Sequence, residues 1–326
     1  MNTNSCSDNL FSALYDLLDE ENDLFRNCCI FALQKLQSNR QVMKQYGDLP
    51  RNFTDFETSK VVILPVPYDG TSTWMKGADK GPQALLEASA NMEVYDVETD
   101  SEVHKVGIHT LPAIQEKSSP DAMVDAVQER VKDILRKKKF PIVIGGEHSV
   151  SIGAIRAVAS HFNDLTILQL DAHADMRDSY EGSKLNHACV MARAKEVAPI
   201  VQVGIRSMSA EERDDIQPDR AFYASHIFEQ KTWMYELLNK LTRNVYITID
   251  LDVLDPSIMP STGTPEPGGL KWYQLIEILK TVSEQVNIVG FDVVELRPIK
   301  DNKAPDFLAA KLIYTLLTYK YITGIK

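Results

Sequence analysis

Cysteine is scarce in this chain of 326 residues: only Cys6, Cys28, Cys29 and Cys189. Cys28 and Cys29 are adjacent, and neither a disulfide-dense framework nor a secretory signal is visible, so a reducing cytoplasm is the expected location. Long apolar runs are also missing. None approaches the ~18 residues that a membrane-spanning helix needs, so no membrane partner is expected. Basic residues are in deficit, with 35 Lys and Arg against 46 Asp and Glu and a net charge of −11. Nucleic acid would be repelled by such a surface and is not an expected partner. The acidic balance fits a cationic substrate, and equally fits ordinary solubility. Repeats and low-complexity stretches are absent. With 44% hydrophobic residues, the chain is long enough for one large α/β domain or two smaller ones.

Residues 1–50 differ from the rest. Leu10, Phe11, Leu14, Leu17, Leu18 and then Phe25, Ile30, Leu33 and Leu36 recur at roughly helical spacing, which predicts a helical N-terminal extension for packing or subunit contact. Leu49–Thr58 reads as a linker. From residue 61 the pattern alternates. Strands are expected at 61–66, 140–144, 165–170, 200–203, 244–249 and 288–291. Helices are expected near 82–89, 121–138, 149–161, 187–196, 210–216, 227–241, 269–282 and 304–319. Strands alternating with helices of this length predict a mostly parallel sheet covered on both faces.

The most informative stretch is Asp171-Ala172-His173-Ala174-Asp175, directly after the apolar run Leu165–Leu170. Two carboxylates and an imidazole crowded at a strand end are costly unless a cation neutralises them. Two more patterns of this kind exist. Gly145-Gly146-Glu147-His148-Ser149 follows Phe140–Ile144, and Asp250-Leu251-Asp252 follows Asn244–Ile249. Strand alternation would point Asp250 and Asp252 the same way. Each pattern alone has a bland reading, such as a capped loop or a strand-to-helix turn with Ser149 as N-cap. Together, at the strand ends where α/β sheets place their sites, they predict a metal centre of His148, Asp171, His173, Asp175, Asp250 and Asp252. Oxygen and nitrogen donors without cysteine favour Mn, Mg, Fe, Ni or catalytic Zn over a structural zinc cage. Six such groups suit two ions bridged by shared carboxylates, an arrangement that activates water.

These motifs, with Ser261-Thr262-Gly263-Thr264-Pro265 through Gly269 and Gly290-Phe291-Asp292-Val293-Val294-Glu295, resemble those of the ureohydrolases, the arginase/agmatinase superfamily. The resemblance covers about residues 55–326, which would form the catalytic domain. It implies a three-layer α/β/α fold and a binuclear Mn(II) site, with Ni(II) as the alternative metal. One ion would be held by His148, Asp171, Asp175 and Asp250, the other by His173, Asp171, Asp250 and Asp252. It further implies that Glu295 holds the substrate guanidinium, that His187 shuttles the proton to the leaving amine, that Thr264 lies in the substrate-binding segment, and that the chain forms a homotrimer or homohexamer. The products would be urea and an amine.

The stretch 176–186 bears on the substrate. Arginases carry an Asn two residues past the last Asp of the Asp-X-His-X-Asp motif, and a Ser-Gly-Asn before the histidine. Here Arg177 stands in the first place and Ser-Gly-Asn is missing. Arg177–Gly182 with Asn186-His187-Ala188-Cys189 is similar to bacterial and archaeal agmatinases, as are Glu147 and the loop Pro67–Ser72. Agmatine, a small cationic guanidino compound, would give putrescine and urea, with Asp178 or Glu181 receiving its ammonium. Arg177 and Lys184 could instead receive a carboxylate, as guanidinobutyrate or guanidinopropionate would present. Free guanidine, arginine, or release of formamide or acetate by a related hydrolase of the fold are further alternatives. A non-catalytic, metal-stabilised assembly protein is the alternative of another class.

Overall fold

The computed structural model describes residues 44–229 and 232–325. The helices expected in the N-terminal extension fall outside the described residues, up to residue 43. Residues 44–50, counted above with that extension, belong to the packed domain. Tyr46 is fully buried, and its hydroxyl donates to the Ala310 carbonyl at 2.7 Å. The packed domain therefore begins before residue 55.

Eight strands form one sheet: β1 Val61–Val66, β2 Ile108–Thr110, β3 Phe140–Gly145, β4 Leu165–Leu170, β5 Ile200–Ile205, β6 Ala221–Tyr223, β7 Asn244–Asp250 and β8 Asn287–Val294. Their order is β2-β1-β3-β8-β7-β4-β5-β6, and every described pair is parallel. The strands read as near-continuous apolar runs because both faces are covered. Along β1, Val61 and Ile63 enter one core while Val62 and Leu64 enter the other. The first core takes helices α1 (Gly81–Ser89), α7 (Trp272–Gln285) and α8 (Ala304–Thr318). The second takes α2 (Pro120–Arg136), α3 (Val150–Ala159) and α4 (Val190–Ala194). The expected three-layer α/β/α arrangement is therefore present. No helix among the described residues is long and apolar enough to cross a membrane.

Two expectations shift. The single helix expected at 227–241 is two short ones, α5 (Ala224–Glu229) and α6 (Trp233–Leu238). The strands β2 and β6 were not expected, since three residues at a sheet edge carry too little periodicity to read.

The strand order sets the position of the site. β3 and β4 are successive strands of the chain, yet β8 and β7 lie between them. The carboxyl ends of β3, β8, β7 and β4 are therefore neighbours at a reversal of strand order, where parallel sheets leave a crevice.

Candidate metal centre

Four adjacent strand ends deliver the expected groups. His148 follows β3 through Gly145-Gly146, and Asp171, His173 and Asp175 follow β4. Asp250 is the last residue of β7, and Glu295 follows β8. Gly146 permits this assembly because a Cβ there would lie 1.9 Å from the Tyr68 carbonyl oxygen. Only glycine tolerates so close a backbone approach. The approach lets Gly146 N donate to Val66 O and Glu147 N to Tyr68 O, each at 2.9 Å, fastening the loop after β1 to the end of β3.

Asp252 arrives by a route other than the one expected. Strand β7 stops at Asp250, and Leu251–Val253 is a 3-10 turn capped by the Asp250 carboxylate, which accepts from Asp252 N at 2.9 Å. Strand alternation therefore does not orient this pair. Two groups with metal-ligand spacing result, His148/Asp171/Asp175 and Asp171/His173/Asp252, each with donor atoms within 4.8 Å of one another. Asp171 belongs to both. His148 Nδ1 lies 2.9 Å from Asp175 Oδ2, 3.2 Å from Asp171 Oδ2 and 3.5 Å from Asp250 Oδ2, and His173 Nδ1 lies 2.9 Å from Asp252 Oδ2. All six expected residues are thus brought together.

The His148 ring tests whether a cation fits. Thr248 Oγ1 donates to Asp292 Oδ1 at 2.7 Å, so this oxygen accepts from His148 Nε2–H at 2.9 Å. That bond leaves Nδ1 with a lone pair. Nδ1 is buried, has no hydrogen-bond partner, and faces three carboxylates. A lone pair against anions is repulsive until a cation or a proton comes between them. Two of the four carboxylates, Asp175 and Asp250, carry the same signature. Burial first, and then the Asp171 charge, push the Asp175 carboxyl up to about 7. Burial and then Asp252 hold Asp250 well above the carboxylate range. The cluster carries more negative charge than the protein neutralises, and hard divalent cations match its donors.

The cluster opens into a cavity of about 280 Å³ lined also by Glu295, His187, Thr264, Arg177, Tyr180 and Glu212, a size that suits an extended small molecule. Glu295 Oε1 accepts from His148 N at 2.8 Å. Burial and then the neighbouring Glu147 raise the Glu295 pKa well above the ordinary value, so this carboxylate calls for a cationic partner. Its φ of 66° is left-handed, as is that of Asp175 at 52°. His187 is pushed down to about 4 by burial and then by His148, leaving a neutral imidazole at neutral pH.

Asp178 and Glu181 are not among the residues lining this cavity. Asp178 is paired with Arg193 at 2.7 Å and Lys184 at 3.0 Å, and Glu181 is exposed in a turn. The unforeseen carboxylate is Glu212, 5% exposed, in a 3-10 turn after β5. It accepts from Met176 N at 2.9 Å and Ser209 N at 2.7 Å, and lies 3.6 Å from Arg177 Nε. The Arg177 guanidinium lies 4.3 Å over the Tyr180 ring. No motif marks Glu212 in the sequence, because its role depends on a loop folding back over the β4 end.

The arginase family matches residues 59–318. An N(1)-aminopropylagmatine ureohydrolase of Synechocystis sp. is 37% identical over 277 residues, covering 82% of this chain and 90% of the relative. An agmatinase of Halalkalibacterium halodurans is 35% identical over 276 residues, 81% of this chain and 93% of the relative. The crystal structure of the agmatine ureohydrolase of Thermoplasma volcanium superposes with a TM-score of 0.76 at 31% identity, covering 88% of this chain and 97% of that one. With its strand order, its twin carboxylate–imidazole clusters and this span of similarity, the chain belongs to the arginase family and is a ureohydrolase.

Proposed function

We propose that the protein hydrolyses a guanidino-alkylamine, agmatine in the first place, to urea and putrescine. The observation that carries this reading is the shared cavity. A cluster with an unpartnered His148 Nδ1, the cation-seeking Glu295 carboxylate and a neutral His187 all face it. His148, Asp171, Asp175 and Asp250 would hold one divalent ion, and His173, Asp171, Asp250 and Asp252 the other, with manganese as the expected metal and nickel as the alternative. Such a pair supplies Lewis acidity and an activated water.

The chain's own groups do the rest. Glu295 pairs with the guanidinium through two hydrogen bonds, which fix its plane, and Thr264 lies beside it in the cavity wall. His187, neutral at rest, takes a proton from the attacking water and hands it to the nitrogen that leaves as the carbon–nitrogen bond breaks.

The tail preference follows from charge pairing. Arg177 and Lys184, the groups that could have welcomed a substrate carboxylate, are engaged by Glu212 and Asp178. Glu212 is the lining carboxylate that belongs neither to the ligand cluster nor to Glu295, and its charge disfavours a substrate carboxylate beside it. The names of several relatives favour a second reading, N(1)-aminopropylagmatine, whose tail is longer and carries more charge. The test is urea release by Mn(II)- and Ni(II)-loaded protein from agmatine, aminopropylagmatine, arginine, guanidinobutyrate and guanidine. Preference for the amine-tailed pair supports the proposal, and preference for an acid or for guanidine refutes the tail assignment. We also assign the protein to the cytoplasm and to a homotrimer or homohexamer, on the family resemblance.

A further inference from the structure

Thr71 lies in the loop after β1, far from the ligand motifs in sequence, and it meets His187 twice. Its hydroxyl oxygen accepts from His187 backbone N–H at 3.0 Å and sits 3.3 Å from ring Nδ1. A hydroxyl has one proton and two lone pairs. One lone pair takes the His187 backbone N–H, which leaves the proton and the second lone pair to meet ring Nδ1 in either tautomer. Tyr180 meets the ring edge-on, with centroids 5.9 Å apart.

We propose that Thr71 is a positioning residue for His187: its hydroxyl holds the backbone N–H and ring Nδ1 together, which fixes the ring plane and leaves Nε2 as the nitrogen that exchanges protons in the cavity. The role rests on the proposed proton transfer by His187. It acts through His187, since nothing requires Thr71 to touch the substrate. The loop has its own anchor: the Gly146–Tyr68 stitch binds the β1 loop, which carries Thr71, to the β3 end. A group misaligned in this way still binds substrate but transfers protons poorly, so the defect belongs in kcat rather than KM.

The test pairs Thr71→Val, which keeps the shape and removes the hydroxyl, with Thr71→Ser, which restores it. Metal content and melting temperature are measured for each. Expected for Thr71→Val are wild-type metal content, little change in KM, a kcat roughly 10- to 100-fold lower, and a displaced limb of the kcat–pH profile. Thr71→Ser should recover both. Wild-type kcat and pH profile in Thr71→Val, or equal impairment in Thr71→Ser, would overturn the proposal. A second measurement depends neither on turnover nor on a variant's folding: the His187 ring nitrogens in ¹⁵N-histidine-labelled wild-type protein loaded with Mg(II), assigned by difference with H187Q. A hydrogen-bonded Nδ1, as donor or acceptor, supports the proposal and an Nδ1 free of hydrogen bonding overturns it. If the wild type releases no urea from any guanidino compound, the proposed function fails while the Nδ1 hydrogen bond still decides the role of Thr71.

Discussion

Replacing Thr248 with valine removes one hydroxyl and nearly nothing else, because the two side chains have the same shape. The site is fully buried, so water cannot take the hydroxyl's place. Two bonds disappear, from His148 Nε2–H at 2.9 Å and to Asp292 Oδ1 at 2.7 Å. Asp292 keeps the Tyr246 hydroxyl at 2.8 Å on its other oxygen, so the main casualty is the His148 donor. An orphaned buried donor costs about 1–3 kcal/mol, and the half-satisfied carboxylate adds to that, so a loss near 3 kcal/mol of folding stability is expected. The ring also loses what holds Nδ1 toward Asp171, Asp175 and Asp250. Losing such an outer partner of a metal-binding histidine typically weakens affinity by about 10- to 100-fold. Chelator competition with Mn(II), alongside thermal melts with and without metal, measures both terms. Thr248→Ser should retain most of each. If Thr248→Val binds Mn(II) as tightly as the wild type, His148 is not held for a cation by this hydroxyl, and the argument from its orphaned nitrogen collapses.

Asp171→Asn should lose both ions and all turnover, because Asp171 belongs to both ligand groups; metal analysis by mass spectrometry shows this, and retention of one full equivalent contradicts the shared role. Glu295→Gln should keep its metals while kcat/KM for a guanidino substrate falls roughly 100-fold or more, the scale of two charge-assisted bonds; steady-state kinetics with metal analysis separates the two. Asp178→Ala should leave KM unchanged, because its carboxylate is committed to Arg193 and Lys184; a markedly raised KM for agmatine would return Asp178 to the substrate. His187 titrates at about 4 in the folded chain against ~6.5 unfolded. The unfolded state therefore binds the extra proton first, so stability present above pH ~6.5 is lost as pH falls toward ~4, by about 3 kcal/mol at most. The acid limb of the stability profile should flatten in H187Q, and an unchanged limb would count against the depressed pKa.

The inner strands were readable because β3, β4, β7 and β8 are buried on both faces and appear as mostly apolar runs. The ligand set was readable for a related reason: charged residues directly after such runs have few places to be except the carboxyl edge of the sheet. What escaped depends on contacts between distant segments. Asp252 reaches His173 from a 3-10 turn, so strand periodicity named the right residue by the wrong geometry. Glu212 and Thr71 come from loops whose path is set by tertiary contacts, Thr71 meeting His187 across 116 residues. Asp178 and Glu181 were attractive by proximity in sequence, but a buried arginine and an exposed lysine claim the first and a turn exposes the second.

Asp175 and Glu295 both sit on left-handed backbone. For a residue other than glycine, asparagine or aspartate that conformation costs ~1 kcal/mol or more, and Glu295 adds the expense of a buried carboxylate beside Glu147. The chain is thus less stable because it keeps Glu295 than it would be with a glycine in its place. Selection on heat resistance alone would erode the active site first. Any library meant to toughen this enzyme has to be screened for urea release at every round, or its winners at position 295 will be sturdy and inert.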